Sequence, residues 1–372
     1  MPDHDVAIVG GGPVGLVLAC LLAQVGVDIA LFEQRETGDD RSRAIGIHPP
    51  GRAALDAVGV GEDARRQALE LHGGDVLCDG RVLASVSFTT RQEVLILPQH
   101  RTHALLVERL AHLQPDAVRL GHAVRDVRDE GDVVRLVIEA GGVGHETTAS
   151  IVVGADGVRS GIRRRLGIPW RERRGSGSYT MADVADEGAS TRVRLYCESG
   201  GIVESFPLPE GRRRWVVSDP LNRLRDGAAF AQEIEERTGV RLDRATEIAP
   251  TPFRAQQHRA ARAAVGRAVL LGDALHETSP IGGQGMNLGW NGARQLAVAI
   301  ERSLRSAAPD FSAYERGALR SAARAQRRSS FYMTMGHPLH GFGLSARNTL
   351  IRALGSAPLR RSTADLITMR GL

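Results

Sequence analysis

Near its N-terminus the chain places a strand, a glycine-rich turn and a helix in immediate succession, and few folds accept that succession. Asp5-Val6-Ala7-Ile8-Val9 is a short apolar run ending in glycine, and it reads as a buried parallel strand. Gly10-Gly11-Gly12-Pro13-Val14-Gly15 follows, and Val14 to Ala23 is apolar enough for a buried helix. Gly10 makes the tight turn, Gly12 leaves the backbone open to a pyrophosphate, and Gly15 lets helix and strand pack closely. The free N–H groups and partial positive charge of the helix start suit phosphates. A second strand, Asp28-Ile29-Ala30-Leu31-Phe32, ends at Glu33. That carboxylate lies 18 residues past Gly15, close to the ~20 at which an acid meets a ribose diol. The unit therefore reads as a dinucleotide site and by itself does not separate FAD from NAD.

Two later motifs separate them. Ala149 to Val153 reads as a strand and runs into Gly154-Ala155-Asp156-Gly157-Val158-Arg159-Ser160, after which Ser160 and Arg163 open a helix. Ala268 to Leu271 reads as another strand and runs into Gly272-Asp273-Ala274-Leu275-His276. The chain continues to Pro280-Ile281-Gly282-Gly283-Gln284-Gly285-Met286-Asn287, the start of a helix reaching Ala297. In this order and with these separations, the three motifs resemble the p-hydroxybenzoate hydroxylase family of FAD-dependent aromatic monooxygenases, the class A flavoprotein monooxygenases. The resemblance runs from the first strand to about residue 300.

The resemblance implies an α/β fold: a Rossmann-like (GR2-type) FAD-binding domain, an inserted mainly β substrate domain and a helical C-terminus. It implies FAD contacts at Gly10, Gly12, Pro13, Val14, Gly15, Glu33, Gln34, Arg35 and Arg43, with Arg35 near the adenosine and Arg43 near the isoalloxazine. Arg101 would open a helix and reach the cofactor, with Gln99 beside it. Asp156 and Gly157 would organise the loop near the pyrophosphate. Gly272 and Asp273 would meet the ribityl chain, and Pro280, Gly282 and Gly283 would lie along the flavin edge. Gln284, Gly285, Met286 and Asn287 would aim helix N–H groups at flavin N1 and O2, where reduced flavin is negative. His276 is expected to hold its loop rather than do chemistry.

The FAD-binding parts are expected to be discontinuous, at 1–70, 99–170 and 266–305, with the substrate domain at 71–98 and 171–265 and C-terminal helices over 306–372. Alternation in Arg192-Val193-Arg194-Leu195-Tyr196 and Val203-Glu204-Ser205-Phe206 predicts strands joined by a hairpin at Gly200-Gly201. Arg213 to Ser218 reads as a further strand, Phe230 to Arg237 as a short helix on the sheet, and Tyr314 to Phe331 as an amphipathic helix.

By the same resemblance, NAD(P)H reduces the flavin transiently and O2 then gives a C4a-hydroperoxide that hydroxylates an aromatic or quinone- or polyketide-like small molecule. Epoxidation, oxidative decarboxylation, reduction, or a non-catalytic FAD-binding role are the alternatives that the same motifs serve. Substrate-side candidates by position are His48, Arg194, Tyr196, Phe206 and Trp215, and no catalytic residue is assigned. All 48 basic residues are arginine, so mechanisms that need a lysine Schiff base are excluded. The formal net charge of +5 favours anions, but no aromatic-interleaved basic stripe points to nucleic acid. Cys20, Cys78 and Cys197 lack metal or redox spacing, so no metal is expected and a reducing cytoplasm is. No apolar run is long enough to span a membrane, and the first strand begins too soon for a signal peptide.

Overall fold

The apolar runs of the three motifs lie side by side at the centre of one sheet. The computed structural model describes residues 1–37, 44–186, 188, 190–306 and 308–370. Its helices are α1 (Pro13–Ala23), α2 (Pro49–Ala57), α3 (Gly61–Gln67), α4 (Gln99–Leu113), α5 (Gly161–Arg165), α6 (Gly227–Thr238), α7 (Gly285–Leu304), α8 (Ser312–Met335), α9 (Gly341–Leu354) and α10 (Ala357–Ile367).

The cofactor sheet has eight strands. Its parallel core runs Ala268–Leu270, Val143–Gly154, His4–Val9, Ile29–Glu33 and Val118–Leu120, with Ala7 opposite both Val152 and Ala30. These strands are apolar on both faces because both are covered: Val6, Ala7, Ile8, Val152 and Val153 are all buried, in one core with Leu16 and Leu18 of α1, Leu106 of α4, Leu296 of α7, and Val127, Leu136 and Ile138 of neighbouring antiparallel strands. Sequence patterning did not reveal that Val143–Gly154 is twelve residues long. Its outer half pairs antiparallel with Val134–Ala140, which in turn pairs with His122–Asp129.

A second sheet of seven strands forms a roof: Thr251–Ala255, Gly177–Ala185, Arg212–Ser218, Gly201–Leu208, Arg192–Glu198, Gly73–Cys78 and Arg81–Ser87. The expected hairpin is there, with Glu198 opposite Gly201. Gly201 has φ +111°, a backbone conformation that costs glycine little. Every neighbouring pair in the roof is antiparallel except Arg192–Glu198 with Gly73–Cys78, which are parallel. A crossover from residue 78 to residue 192 thus ties the early segment to the later one.

The two faces of the roof bury different partners. One packs Val203, Trp215 and Val217 against Phe230 and Ile234 of α6. Asp226 caps α6 by accepting the Ala229 N–H at 2.9 Å, and Gly239 ends it in the left-handed conformation. The other face packs Met181, Ile202, Phe206 and Val216 against Ile281, Tyr332 and Met333. No helix of the described residues is long and apolar enough to cross a membrane.

Backbone approach is tightest where the first helix meets the first strand. A β-carbon on Gly15 would overlap the Gly10 carbonyl, and one on Gly10 would overlap the Ala155 carbonyl. Gly15→Ala is therefore expected to cost about 1–3 kcal/mol, as overpacking does, and to lower Tm. Thermal unfolding followed by circular dichroism checks this; an unchanged Tm would refute the close packing.

Candidate cofactor and substrate site

The three motifs meet at the C-terminal edge of the cofactor sheet, the end at which open α/β sheets bind ligands. Gly10 abuts Ala155 and the Asp156 N–H. Val14 lies under both Gly272 and Gly289: β-carbons there would sit 3.1 and 2.7 Å from its methyl groups. The Trp290 indole N–H donates to the Pro13 carbonyl at 3.0 Å, and Arg163 donates to the Ala274 carbonyl at 2.9 Å. Residues more than 250 positions apart in sequence thus share one floor.

Around Gly12 there is open space: a β-carbon would meet nothing within 4 Å. No side chain caps α1, so its first N–H groups face that space. Glu33 is buried beside it and accepts from the Gly11 N–H at 2.9 Å, and from the Arg35 N–H and Nε at 3.0 Å each. Burial works to raise the Glu33 carboxyl, but the Arg35 and Gly11 donors overcome it and hold the group below its usual range. It is an anion at neutral pH, suited to a pair of ribose hydroxyls. His103 of α4 contacts the Gly11 carbonyl at 3.1 Å. Gln34 is exposed at the strand end.

The loop that leads into α7 is held from below by Asn287. Its Oδ1 accepts the His48 N–H at 2.9 Å, and its Nδ2 donates to the Gly46 and Gly283 carbonyls at 2.9 and 3.0 Å. Gly282 and Gly283 both have positive φ. Asn287 is fully buried, so these contacts fix the 280–287 loop against residues 46–48. Pro280 and Asp273 are exposed along this edge, while Gly272 is buried. Asp156 accepts the Ile162 N–H at 3.1 Å through one oxygen.

Several buried polar atoms here have no hydrogen-bond partner among the described residues: the other Asp156 oxygen, both ends of the Gln284 amide, Thr278 Oγ1, His48 Nδ1 and the Tyr332 hydroxyl. Each such atom costs about 1–3 kcal/mol unless a ligand satisfies it. A glycine floor, a ribose-competent acid and orphaned donors and acceptors beside uncapped α1 and α7 fit a dinucleotide flavin. Burial holds His48 and His276 down at about 4, so both are neutral imidazoles at neutral pH. His276 is buried in its loop.

Arg101 of α4 pairs with Glu210 at the roof hairpin turn, and Gln99 accepts the Ala44 N–H at 3.3 Å. Arg43 lies outside the described residues. Among the substrate-side candidates, His48 and Phe206 lie on the cofactor side of the roof. Tyr196 and Trp215 stack at 6.1 Å on the opposite face, under α6. Arg194 shares their strand alternation and is exposed. Strand parity sent these three away from the flavin loop. One group, Cys78, Asp79 and Glu198, sets three potential metal-ligand atoms within 4.8 Å of one another. Glu198 there already accepts the Asp79 N–H at 3.1 Å.

Parity also brings in a residue that the sequence analysis passed over. Glu204 shares its strand face with Ile202 and Phe206, is 5% exposed, and has no hydrogen-bond or ion-pair partner among the described residues. Burial pushes its carboxyl up to about 7. The signal was present in the sequence as an acid at an apolar-parity position. Tyr332, from α8, faces Gly282 and was likewise not singled out.

The chain matches the family model described as FAD binding domain over residues 3–329. It is 32% identical over 331 residues to the 12-dehydrotetracycline 5-monooxygenase/anhydrotetracycline 6-monooxygenase of Streptomyces rimosus, covering 82% of this chain and 64% of that protein. The chain thus spans less than two thirds of that relative's length. It is 26% identical to the para-nitrophenol 4-monooxygenase of a Pseudomonas species, over 82% of this chain and 79% of that one. Its fold superposes on the crystal structure of the p-nitrophenol 4-monooxygenase from Pseudomonas putida with a TM-score of 0.86 at 22% identity, covering 99% of both chains. The anhydrotetracycline hydroxylase from Streptomyces rimosus superposes with a TM-score of 0.79 at 26% identity, over 99% of this chain and 76% of that one.

Two expectations follow from the geometry. Glu33→Ala should weaken FAD affinity about tenfold or more, the worth of one charge-assisted hydrogen bond, in a titration read by flavin fluorescence. Equal affinity would remove Glu33 from the site. Glu204 makes the second testable. Its carboxyl titrates near 4.5 when unfolded and near 7 when folded, so between those values the folded state holds a proton that the unfolded state has lost. Stability therefore falls as pH rises through that window and levels above it. Glu204→Leu should remove that slope, so its stability advantage over the parent should grow between pH ~5 and ~8 by on the order of 3 kcal/mol. Urea unfolding at both pH values measures it; a constant difference would contradict the buried carboxyl.

Proposed function

The chain belongs to the FAD-binding-domain family, and from that premise we propose that it is an FAD-dependent monooxygenase. It uses NAD(P)H and O2 to hydroxylate an aromatic or quinone- or polyketide-like small molecule. The observation that carries this reading is the convergence of Gly10–Gly15, Gly154–Gly157 and Gly272–Asn287 on one floor, roofed by a sheet whose inner face reaches Ile281. The named activities of its relatives on tetracycline intermediates and nitrophenol support the aromatic class.

When bound, FAD supplies two-electron transfer from NAD(P)H and activation of O2. In balance, a substrate C–H, O2, NAD(P)H and a proton become C–OH, water and NAD(P)+. The chain's own residues bind, orient and exclude water. Glu33 would hold the ribose diol, and the uncapped α1 N-terminus would take the pyrophosphate. The uncapped start of α7 would stabilise negative charge on the bound ring, and Asn287 holds the 280–287 loop in place for it. The apolar side chains of the inner roof face, Met181, Phe206 and Val216, keep water from the reacting centre. The three cysteines are buried and unbonded, which suits a reducing cytoplasm.

The test is NAD(P)H oxidation by the FAD-loaded protein across a panel of phenols, quinones and aromatic polyketides, followed by product analysis in isotopically labelled oxygen. Stimulated oxidation with one labelled oxygen atom in the product is expected. Stimulated oxidation without label would instead identify a reductase, and no stimulation by any compound would overturn the reading.

A further inference from the structure

Glu204 occupies the centre of the roof face that covers the flavin loop. In register it stands between Val216 and Leu195, with Ile202 and Phe206 two residues away on the same face. That face packs against Ile281 of the loop and against Tyr332 and Met333 of α8. The titratable and charged groups around it are few. From neighbouring strands come the Tyr179 hydroxyl and the Cys197 thiol. Burial first, and then the nearby Glu204 charge, pushes Tyr179 up to about 12. Arg214 lies on the strand opposite Phe206 and is bound to Asp183. Arg347 of α9 donates to the carbonyls of Cys197, Glu198, Met335 and His337. The Tyr332 hydroxyl from α8 has no partner. None of these groups hydrogen-bonds Glu204 among the described residues.

An unpartnered carboxylate in apolar surroundings is expensive, and packing does not require it: a leucine would complete the row with Leu195 and Val216. The group needs a donor, and this position lies on the roof face that packs over Ile281 of the flavin loop. A hydroxyl supplies that donor. A second carboxylate or a phosphate does not, because like charges in a dry site repel.

We propose that Glu204 is a catalytic residue that accepts a hydrogen bond, and then the proton, from a phenolic or enolic hydroxyl of the substrate. The substrate class is accordingly neutral hydroxylated aromatics or enols, not compounds that present an anion to the roof. This rests on the hydroxylase reading. In the step, the substrate O–H bond breaks and a Glu204 O–H bond forms. The electron pair stays on the substrate oxygen and enriches the ring carbons that accept the new oxygen. When the product ring regains aromaticity its C–H proton leaves to water, and the proton on Glu204 returns to the original oxygen. The buried environment that lifts the carboxyl toward neutrality makes it an effective base near physiological pH.

The experiment compares alpha-naphthol with its methyl ether on the FAD-loaded protein, as parent, Glu204→Leu and Glu204→Asp. Calorimetric titration gives affinities, and stopped-flow product formation gives rates against pH. The parent should prefer the phenol over the ether about tenfold or more above neutral pH, as a site built for a donor does. Glu204→Leu should bind both alike and lose the rise in turnover around pH ~7. Glu204→Asp should keep both behaviours with lower turnover. A preference that survives in Glu204→Leu, a parent that binds neither compound, or an unchanged pH profile would each overturn the assignment. If the phenol preference is lost in Glu204→Leu but no compound stimulates NAD(P)H oxidation in the parent, the binding role stands and the hydroxylase reading falls.

Discussion

The close approach of backbone to backbone at the C-terminal edge of the cofactor sheet is the constraint on which the rest of this protein depends. Gly15 touches the Gly10 carbonyl, Gly10 touches Ala155, and Gly272 and Gly289 both rest on Val14. At these contacts a β-carbon would push apart the first helix, the first strand and the two later motifs. Because those contacts are tight, α1 and α7 pack against each other on one floor, and the same edge carries the open space at Gly12 and, in the loops that follow its strands, orphaned polar atoms of Asp156, Thr278 and Gln284. The glycines thus act as spacers between segments more than as flexible joints.

Above that floor the roof sheet divides its labour by strand parity. Val203, Trp215 and Val217 face α6; Phe206 and Val216 pack on the side of the loop, and Glu204 shares their face. The α6 face carries a stacked Tyr196–Trp215 pair, and its buried Arg213 is satisfied by Ser205 and Asp186. The loop face contains an unsatisfied carboxylate, which a purely structural face has no reason to keep. The Arg101–Glu210 ion pair joins the start of α4 to the roof hairpin. It links the helix that contacts Gly11 through His103 to the sheet that covers the substrate side.

Much of the floor was legible in the chain because its requirements are local. The turn after Val9 needs glycine within a few residues, and the acid that meets a ribose must end the next strand, so Glu33 could be named from spacing alone. The loop from Pro280 to Asn287 was legible as a motif, but the Asn287 clasp on His48 and Gly46 was not, because its partners lie about 240 residues away. Tyr196 and Trp215 illustrate the opposite limit: their residue types suggest stacking against a substrate, yet parity turns them toward α6. Alternation alone shows which residues share a face, not which face is inward, since both faces of the roof strand Gly201–Leu208 are buried.

The sequence by itself determined the strand–turn–helix unit, the acid that ends its second strand, the order of the three glycine motifs and the presence of a hairpin, placed at Gly200-Gly201 and found one residue earlier, between Glu198 and Gly201. Each is set by interactions among residues near in the chain, where backbone sterics and spacing leave few choices. Only the tertiary structure decided which roof face looks onto the flavin loop, that Arg101 is bound to Glu210, and that Glu204 has no hydrogen-bond or ion-pair partner among the described residues. Those facts depend on what packs against a side chain from a distant segment. Desolvation, unlike a turn, is a property of the assembled fold and has no local signature.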